Sequence, residues 1–173
     1  MNPLLVIALL SYFTGGASPA QKTTPSEVLL DPAYRGTVRL YSAPDKKKLV
    51  KTLRQNVKDE DWLYFEVKET NDSMFHVSAE FNIAGHVASG WIEKSQHIGV
   101  YSRVYEGGKS LILYAEPKKG VAIAKIAGYT PKLIPVTDCS KGWAKVKVMN
   151  KGKEVEGWMP PEEQCTDSYS TCN

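Results

Sequence analysis

The sequence predicts an all-β protein built from many short strands. Short runs rich in Ser, Thr, Val, Tyr and Trp are separated by Gly, Pro, Asn and Asp, as in half-buried strands joined by turns. No segment keeps apolar residues at helical spacing over several turns. The same pattern also occurs twice along the chain. Together these observations predict two small β-domains.

The first element of the repeated pattern is a strand that ends in a proline turn. In the first copy the strand runs into Tyr41 and the turn follows at Pro44, and in the second copy Tyr114 and Pro117 occupy these places. Each copy is about 65 residues long, so the two copies account for most of the chain.

All four tryptophans belong to the repeated pattern. Trp62 and Trp143 each open an alternating strand that reaches a Val five residues later, and a Gly-Trp pair follows at Trp91 and at Trp158. This alignment leaves residues 69–89 as an insertion in the first copy. Length changes of this kind are typical of surface loops.

Residues 1–20 are predicted to be a secretory signal peptide. They contain no charged side chain, and Leu4 to Phe13 form an apolar run shorter than a membrane span. Ser18 and Ala20 make a cleavage site ahead of Gln21. We therefore expect an exported protein, periplasmic or extracellular, without a membrane span and with a linker over residues 21–32. A buried N-terminal helix or strand is the alternative.

Three cysteines lie in the last fifth of the chain: Cys139, Cys165 and Cys172. In an oxidising compartment one pair is expected to form a disulfide, and the spacing leaves all three pairings open. A zinc site is not expected, because there is no C-x-x-C and the histidines lie in the other half of the chain.

The order of these elements resembles the bacterial SH3-like (SH3b) family. The order is a strand with L-Y-x-x-P, a second strand, a strand that opens on Trp, a hairpin, then Gly-Trp and a one-turn helix. The resemblance covers residues 33–98 and 99–173 and is closest in the second copy, where Leu133–Thr137, Gly142–Val146 and Gly157–Met159 match successive strands. It implies two tandem SH3-like small β-barrels with short 3₁₀ turns. Residues 160–164 suit one such turn, and residues 93–95 another.

Catalytic motifs are missing from the sequence. We find no G-x-S-x-G elbow, no phosphate-binding Gly-rich loop, no H-E-x-x-H and no Cys with a suitable His partner, so we predict no enzyme activity and no cofactor. The net charge of +3, with acidic residues interleaved among the basic ones, argues against nucleic acid as a partner.

The resemblance implies a peptide-binding role, and bacterial members attached to wall enzymes are associated with peptidoglycan stem peptides. Flat aromatic rings suit such ligands because they offer contact area at small entropic cost. The candidate groove residues are Tyr41, Trp62, Trp91, Tyr114, Trp143 and Trp158. For each Trp a place in the core is the competing interpretation.

The alternating residues around Phe75 and Phe81 predict a protruding hairpin within residues 69–89. Its apolar face either packs on the second copy or binds a partner protein. We therefore expect a non-catalytic exported binding or scaffolding module for a peptide or peptidoglycan fragment. The alternative is an accessory or inhibitor protein that uses this hairpin. The sequence does not define the oligomeric state.

Overall fold

The computed structural model describes residues 26–103, 109–127 and 132–166. The predicted signal peptide and Cys172 lie outside these ranges. The described chain is all-β, as predicted. Its strands are β1 Ser26–Leu30, β2 Val38–Tyr41, β3 Leu49–Leu53, β4 Leu63–Thr70, β5 Met74–Phe81, β6 Gly85–Glu93, β7 Ile98–Ser102, β8 Ser110–Tyr114, β9 Ala122–Ala127, β10 Ile134–Ser140, β11 Trp143–Asn150, β12 Lys153–Met159 and β13 Gln164–Cys165.

Helical structure within the described ranges is limited to two short 3₁₀ turns. The turn at Pro161–Glu163 confirms the one predicted after Trp158, with Pro at its start. The other, Val57–Asp59, was not predicted. The 3₁₀ turn predicted at residues 93–95 is absent from this described segment: Glu93 ends β6, and the turn that follows is closed by Ile98 N donating to Ser95 O. Nothing helical in the described chain is long enough to cross a membrane.

The strands form one antiparallel path in the order β3-β2-β6-β5-β4-β1-β7-β10-β11-β12-β8-β9, and β13 also pairs with β7. Among the described residues no pairing joins β3 to β1 or β9 to β7, so the prediction of two closed barrels is wrong at the level of strand pairing. The reason is that β1 pairs with β4 and also with β7. It thereby continues the sheet from one half into the other.

The second half of this path repeats the pairing order of the first. In the first half the strands are paired in the order β1-β4-β5-β6-β2-β3. In the second half the order is β7-β10-β11-β12-β8-β9, so each strand corresponds to the one six places earlier in the chain. The pairing of β7 with β13 likewise corresponds to that of β1 with β7.

Irregularities in the strand pairing also recur at equivalent places. The β4–β5 register shifts between Val67 and Glu69, and the β10–β11 register shifts between Val136 and Asp138. The β2–β3 and β8–β9 hairpins each shift register immediately before their tyrosine, Tyr41 in one and Tyr114 in the other. A β-bulge at the same register bends both halves in the same place.

These registers correct the alignment made from the tryptophans. Val67 faces Val77 and Val136 faces Val146, so β4 corresponds to β10, and not to the strand that Trp143 opens. Residues 69–89 are therefore no insertion, because they form the end of β4, all of β5 and part of β6. The alignment failed because Trp62 precedes β4 whereas Trp143 begins β11, which is the counterpart of β5.

The segment predicted as a linker is also partly a strand. Ser26–Leu30 form β1, in which every residue except Glu27 is buried. The predicted boundary between residues 98 and 99 falls inside β7. One apolar cluster extends through both halves, with Leu30, Phe65 and Phe75 from the first and Leu113 and Val146 from the second.

Candidate functional site

A cleft of about 660 Å³ lies where the two halves meet. Its walls come from the β1–β2 connection, the segment that leads into β4, strand β7 and the segment that leads into β10. The lining residues are Asp31, Pro32, Ala33, Arg35, Val57, Trp62, Gln96, Tyr101, Lys132 and Leu133. The volume is in the range of small-molecule and peptide sites.

Backbone hydrogen bonds fix the β1–β2 connection and hold it against the β6–β7 connection. Asp31 N donates to His97 O at 2.7 Å, and Tyr34 N donates to Asp31 O at 2.8 Å. The Asp31 carboxylate accepts from Ala33 N at 2.8 Å, which makes a local turn of the kind Asp favours. This side of the cleft is therefore fixed in shape before any ligand arrives.

Gln55 is a buried polar residue that ties three segments together behind the cleft. Its Nε2 donates to Asp31 O at 2.7 Å and to Tyr34 O at 3.3 Å, while its Oε1 accepts from Leu63 N at 3.4 Å. Because a buried amide is stable only when it is hydrogen-bonded, these contacts explain a glutamine that is only 5% exposed.

Two aromatic residues, Trp62 and Tyr34, support the cleft. Trp62 is 4% exposed, so it presents only an edge to the cleft, and its backbone carbonyl accepts from Asn82 N at 2.9 Å. Tyr34 stacks on His97 with ring centroids 4.3 Å apart. A side chain at Gly36 would collide with the Tyr34 ring, which explains a glycine at this position.

The cleft carries charges of both signs. Asp31 supplies a carboxylate, and Arg35 and Lys132 supply exposed cationic side chains. Arg35 donates to Pro32 O at 2.6 Å, which restrains its guanidinium at the rim. The half-buried Tyr101 adds an aromatic surface. Such a site can bind a ligand that has both an ammonium and a carboxylate group.

The six predicted groove residues do not line this cleft together. Trp62 is the one that does. In the first half Tyr41 pairs with Trp91, which stacks on His76 at 5.1 Å. The second half pairs Tyr114 with Trp158.

Trp143 joins the second of these clusters by an edge-to-face contact with Tyr114, at 5.6 Å between ring centroids. Tyr41 and Trp62 are buried, and the other four candidates are half-buried. The two clusters are far apart in the sheet. Trp91 lies on β6 and Trp158 on β12, and these strands are seven positions apart along the strand path.

The predicted protruding hairpin is an internal part of the sheet. Phe75 is 0% exposed in β5, which pairs with β4 on one side and β6 on the other. Phe81 is half-buried at the end of the same strand. Phe75 is therefore unavailable to a partner protein.

Cys139 is a free thiol, which leaves Cys165 with Cys172 as the remaining pair of the three. Burial raises the pKa of the Cys139 thiol to about 12. A hydrogen bond with Ser26 lowers the pKa and so offsets part of this rise. At neutral pH the group is protonated and therefore a poor nucleophile. Cys165 is buried, and Cys172 is outside the described residues.

No group of three or more His, Cys, Asp or Glu side chains in the described ranges is placed to hold a metal ion. Sequence reasoning missed Asp31, Arg35, Tyr101 and Lys132. The Asp31-Pro32 turn signal was visible, but it lay inside the segment predicted as a linker, residues 21–32.

Comparisons with known proteins leave the family open. No protein-family model matches the chain, and no curated protein matches it. Among solved structures, NlpC2 from Trichomonas vaginalis is similar over 83% of this chain and 49% of its own, at 14% identity and a TM-score of 0.33. NlpC1 from the same organism is similar over 90% and 50%, at 14% identity and a TM-score of 0.34. The chain thus spans about half the length of these proteins, and similarity of this size assigns neither fold nor activity.

Proposed function

We propose that this protein is an exported, non-catalytic binding module for peptide or cell-wall (peptidoglycan) material, built from two tandem SH3-like units. The junction cleft is the observation that carries the proposal, since it combines a ligand-sized volume with aromatic surface and charges of both signs. The repeated strand order and the shared bulge positions support the tandem units.

The chemistry of wall peptides matches this cleft. Short peptides with a free carboxylate and a free amino group need both an anion-binding and a cation-binding side chain in the same site. Arg35 and Lys132 would bind the carboxylate, and Asp31 the ammonium group. Tyr101, together with the exposed edge of Trp62, would contact the apolar part of the peptide at little entropic cost.

Sedimentation with purified, insoluble peptidoglycan tests the proposal directly. The wild-type protein is expected in the pellet. An Arg35→Ala/Lys132→Ala variant is expected to bind at least about tenfold more weakly, since charge-assisted hydrogen bonds contribute about 1.5–3 kcal/mol each. Both side chains are exposed, so this variant should fold as the wild type does.

The matched control is Lys151→Ala/Lys153→Ala, which removes the same charge at the exposed β11–β12 turn. It should bind as the wild type does. Absence of wild-type binding to peptidoglycan and to its soluble peptides would overturn the proposal. If Tyr114→Ala lost binding while Arg35→Ala/Lys132→Ala bound fully, the binding site would instead be the cluster of Tyr114, Trp143 and Trp158.

Export has its own test. The N-terminal sequence of the protein recovered from the native host should begin at Gln21. Recovery from the cytoplasm with Met1 intact would contradict this part of the proposal.

A further inference from the structure

Positive charge is concentrated in the β2–β3 hairpin, residues 38–54. This segment holds six basic residues and one acidic residue, a net charge of +5, whereas the whole chain has +3. The remainder of the chain is therefore net negative. A surface with so strong a local excess attracts anions at long range.

Two of these basic residues form ion pairs within the described part of the chain. Lys46 pairs with Glu93, and Lys47 pairs with Asp45 at 3.2 Å. The other four make no ion pair with any residue in the described ranges: Arg39, Lys48, Lys51 and Arg54. All four are exposed, so their charges are available to a partner.

Exposed apolar side chains lie among these cations. Leu49 is 51% exposed and Val50 is 47% exposed, and they are neighbours at the start of β3. The register shift opposite Leu40 and Tyr41 makes Val50 the extra residue of a bulge. The hairpin has a defined shape, because Ser42 N donates to Lys48 O at 3.0 Å.

We propose that the β2–β3 hairpin docks on the surface of a membrane that contains anionic phospholipids. The unpaired cations would lie at the headgroups while Leu49 and Val50 enter the interface, the combination that peripheral membrane segments use. A soluble polyanion provides no apolar phase for these two side chains.

An added peptide strand is disfavoured as well. β3 ends the strand path, but its bulge and its exposed Lys51 are features that prevent strand addition at an edge. The proposal does not depend on the junction cleft, since none of the four unpaired cations lines it.

Vesicle sedimentation tests this inference. The protein is expected to bind vesicles of phosphatidylglycerol and phosphatidylcholine at least about tenfold more tightly than pure phosphatidylcholine, with binding that weakens as salt increases. Lys48→Glu/Lys51→Glu should reduce binding to the anionic vesicles by about tenfold or more. Leu49→Ser/Val50→Ser should also weaken it, by about threefold or more.

The control is Lys151→Glu/Lys153→Glu, which changes the net charge equally at a different turn. Equal losses in both charge variants would overturn the proposal, because binding would then follow net charge alone. Full binding by Leu49→Ser/Val50→Ser, together with displacement from vesicles by polyphosphate, would overturn it in favour of a soluble polyanion. Circular dichroism of each variant establishes that the fold is retained.

Discussion

Glu27 shows how strand pairing changes the chemistry of a single side chain. It is the residue in β1 that faces solvent, and it lies directly opposite Glu66 of β4. Partial burial of its carboxyl group by neighbouring strands raises its pKa, and the nearby carboxylates of Glu80 and Glu66 raise the pKa further, while a hydrogen bond with Thr166 lowers it. The sequence alone places these carboxylates far apart.

We expect Glu27→Gln to stabilise the protein at neutral pH. The folded state holds the Glu27 proton more tightly than the unfolded chain does, so stability falls as pH rises from about 4.5 through the raised pKa. The variant should therefore melt at a higher temperature than the wild type at pH 7, and at about the same temperature at pH 3.5. Glu69→Gln, which removes a carboxylate from an exposed site in β4, is the control and should leave the melting temperature nearly unchanged.

The Cys139 thiol is predicted to be unreactive until the protein unfolds. A pKa of about 12 lowers its thiolate fraction at pH 7 about a thousandfold relative to the ordinary value of 9.0. A chromogenic disulfide reagent should detect no thiol in the native protein and one per chain in denaturant, if Cys165 and Cys172 form the remaining pair. Detection of three thiols in unreduced, denatured protein would contradict the Cys165–Cys172 pair. In the Cys139→Ser variant the one thiol detected in denaturant should disappear.

At the scale of elements, the structure changes the role of β5. The alternation of apolar residues correctly predicts a strand, because alternation reports that one face is buried. It does not report what covers that face. Met74, Phe75, Val77 and Ala79 are all fully buried, so β5 is a central strand of the first half.

Phe75→Ala is therefore expected to destabilise the protein by about 3–5 kcal/mol, the range for removing a buried aromatic ring. Ile83→Ala is the comparison, since Ile83 is 68% exposed in the next turn and should change stability by no more than about 0.5 kcal/mol. Urea unfolding measures both. A loss of stability at Phe75 as small as that at Ile83 would contradict a central β5 and favour the predicted protruding hairpin.

The whole molecule depends on the junction formed by β1 and β7. Gly99 pairs with Leu29 on β1 and with Pro135 on β10, so its backbone lies between both halves. A Cβ at this position would collide with Ile134 O, which explains the glycine. The single apolar cluster crosses the same junction.

We predict that the two halves unfold in one cooperative transition. Gly99→Ala should lower the stability of the whole protein by about 1–3 kcal/mol, because the backbone must shift to admit the methyl group. Gly120→Ala, where an added Cβ meets nothing within 4 Å, should have no measurable effect. Calorimetry with two separate transitions would contradict the shared junction.

The sequence by itself determined the all-β class, the positions of β10 to β12, and the 3₁₀ turn after Trp158. These follow from local signals, namely alternation, turn residues and proline placement, which act over a few neighbouring residues. Tertiary structure alone decided which strands pair, that β1 joins the two halves, and that Asp31, Arg35 and Lys132 share a cleft. The physical reason is that pairing of β1 brings together residues about 40 to 70 positions apart, and the cleft residues about a hundred apart, which no local pattern records.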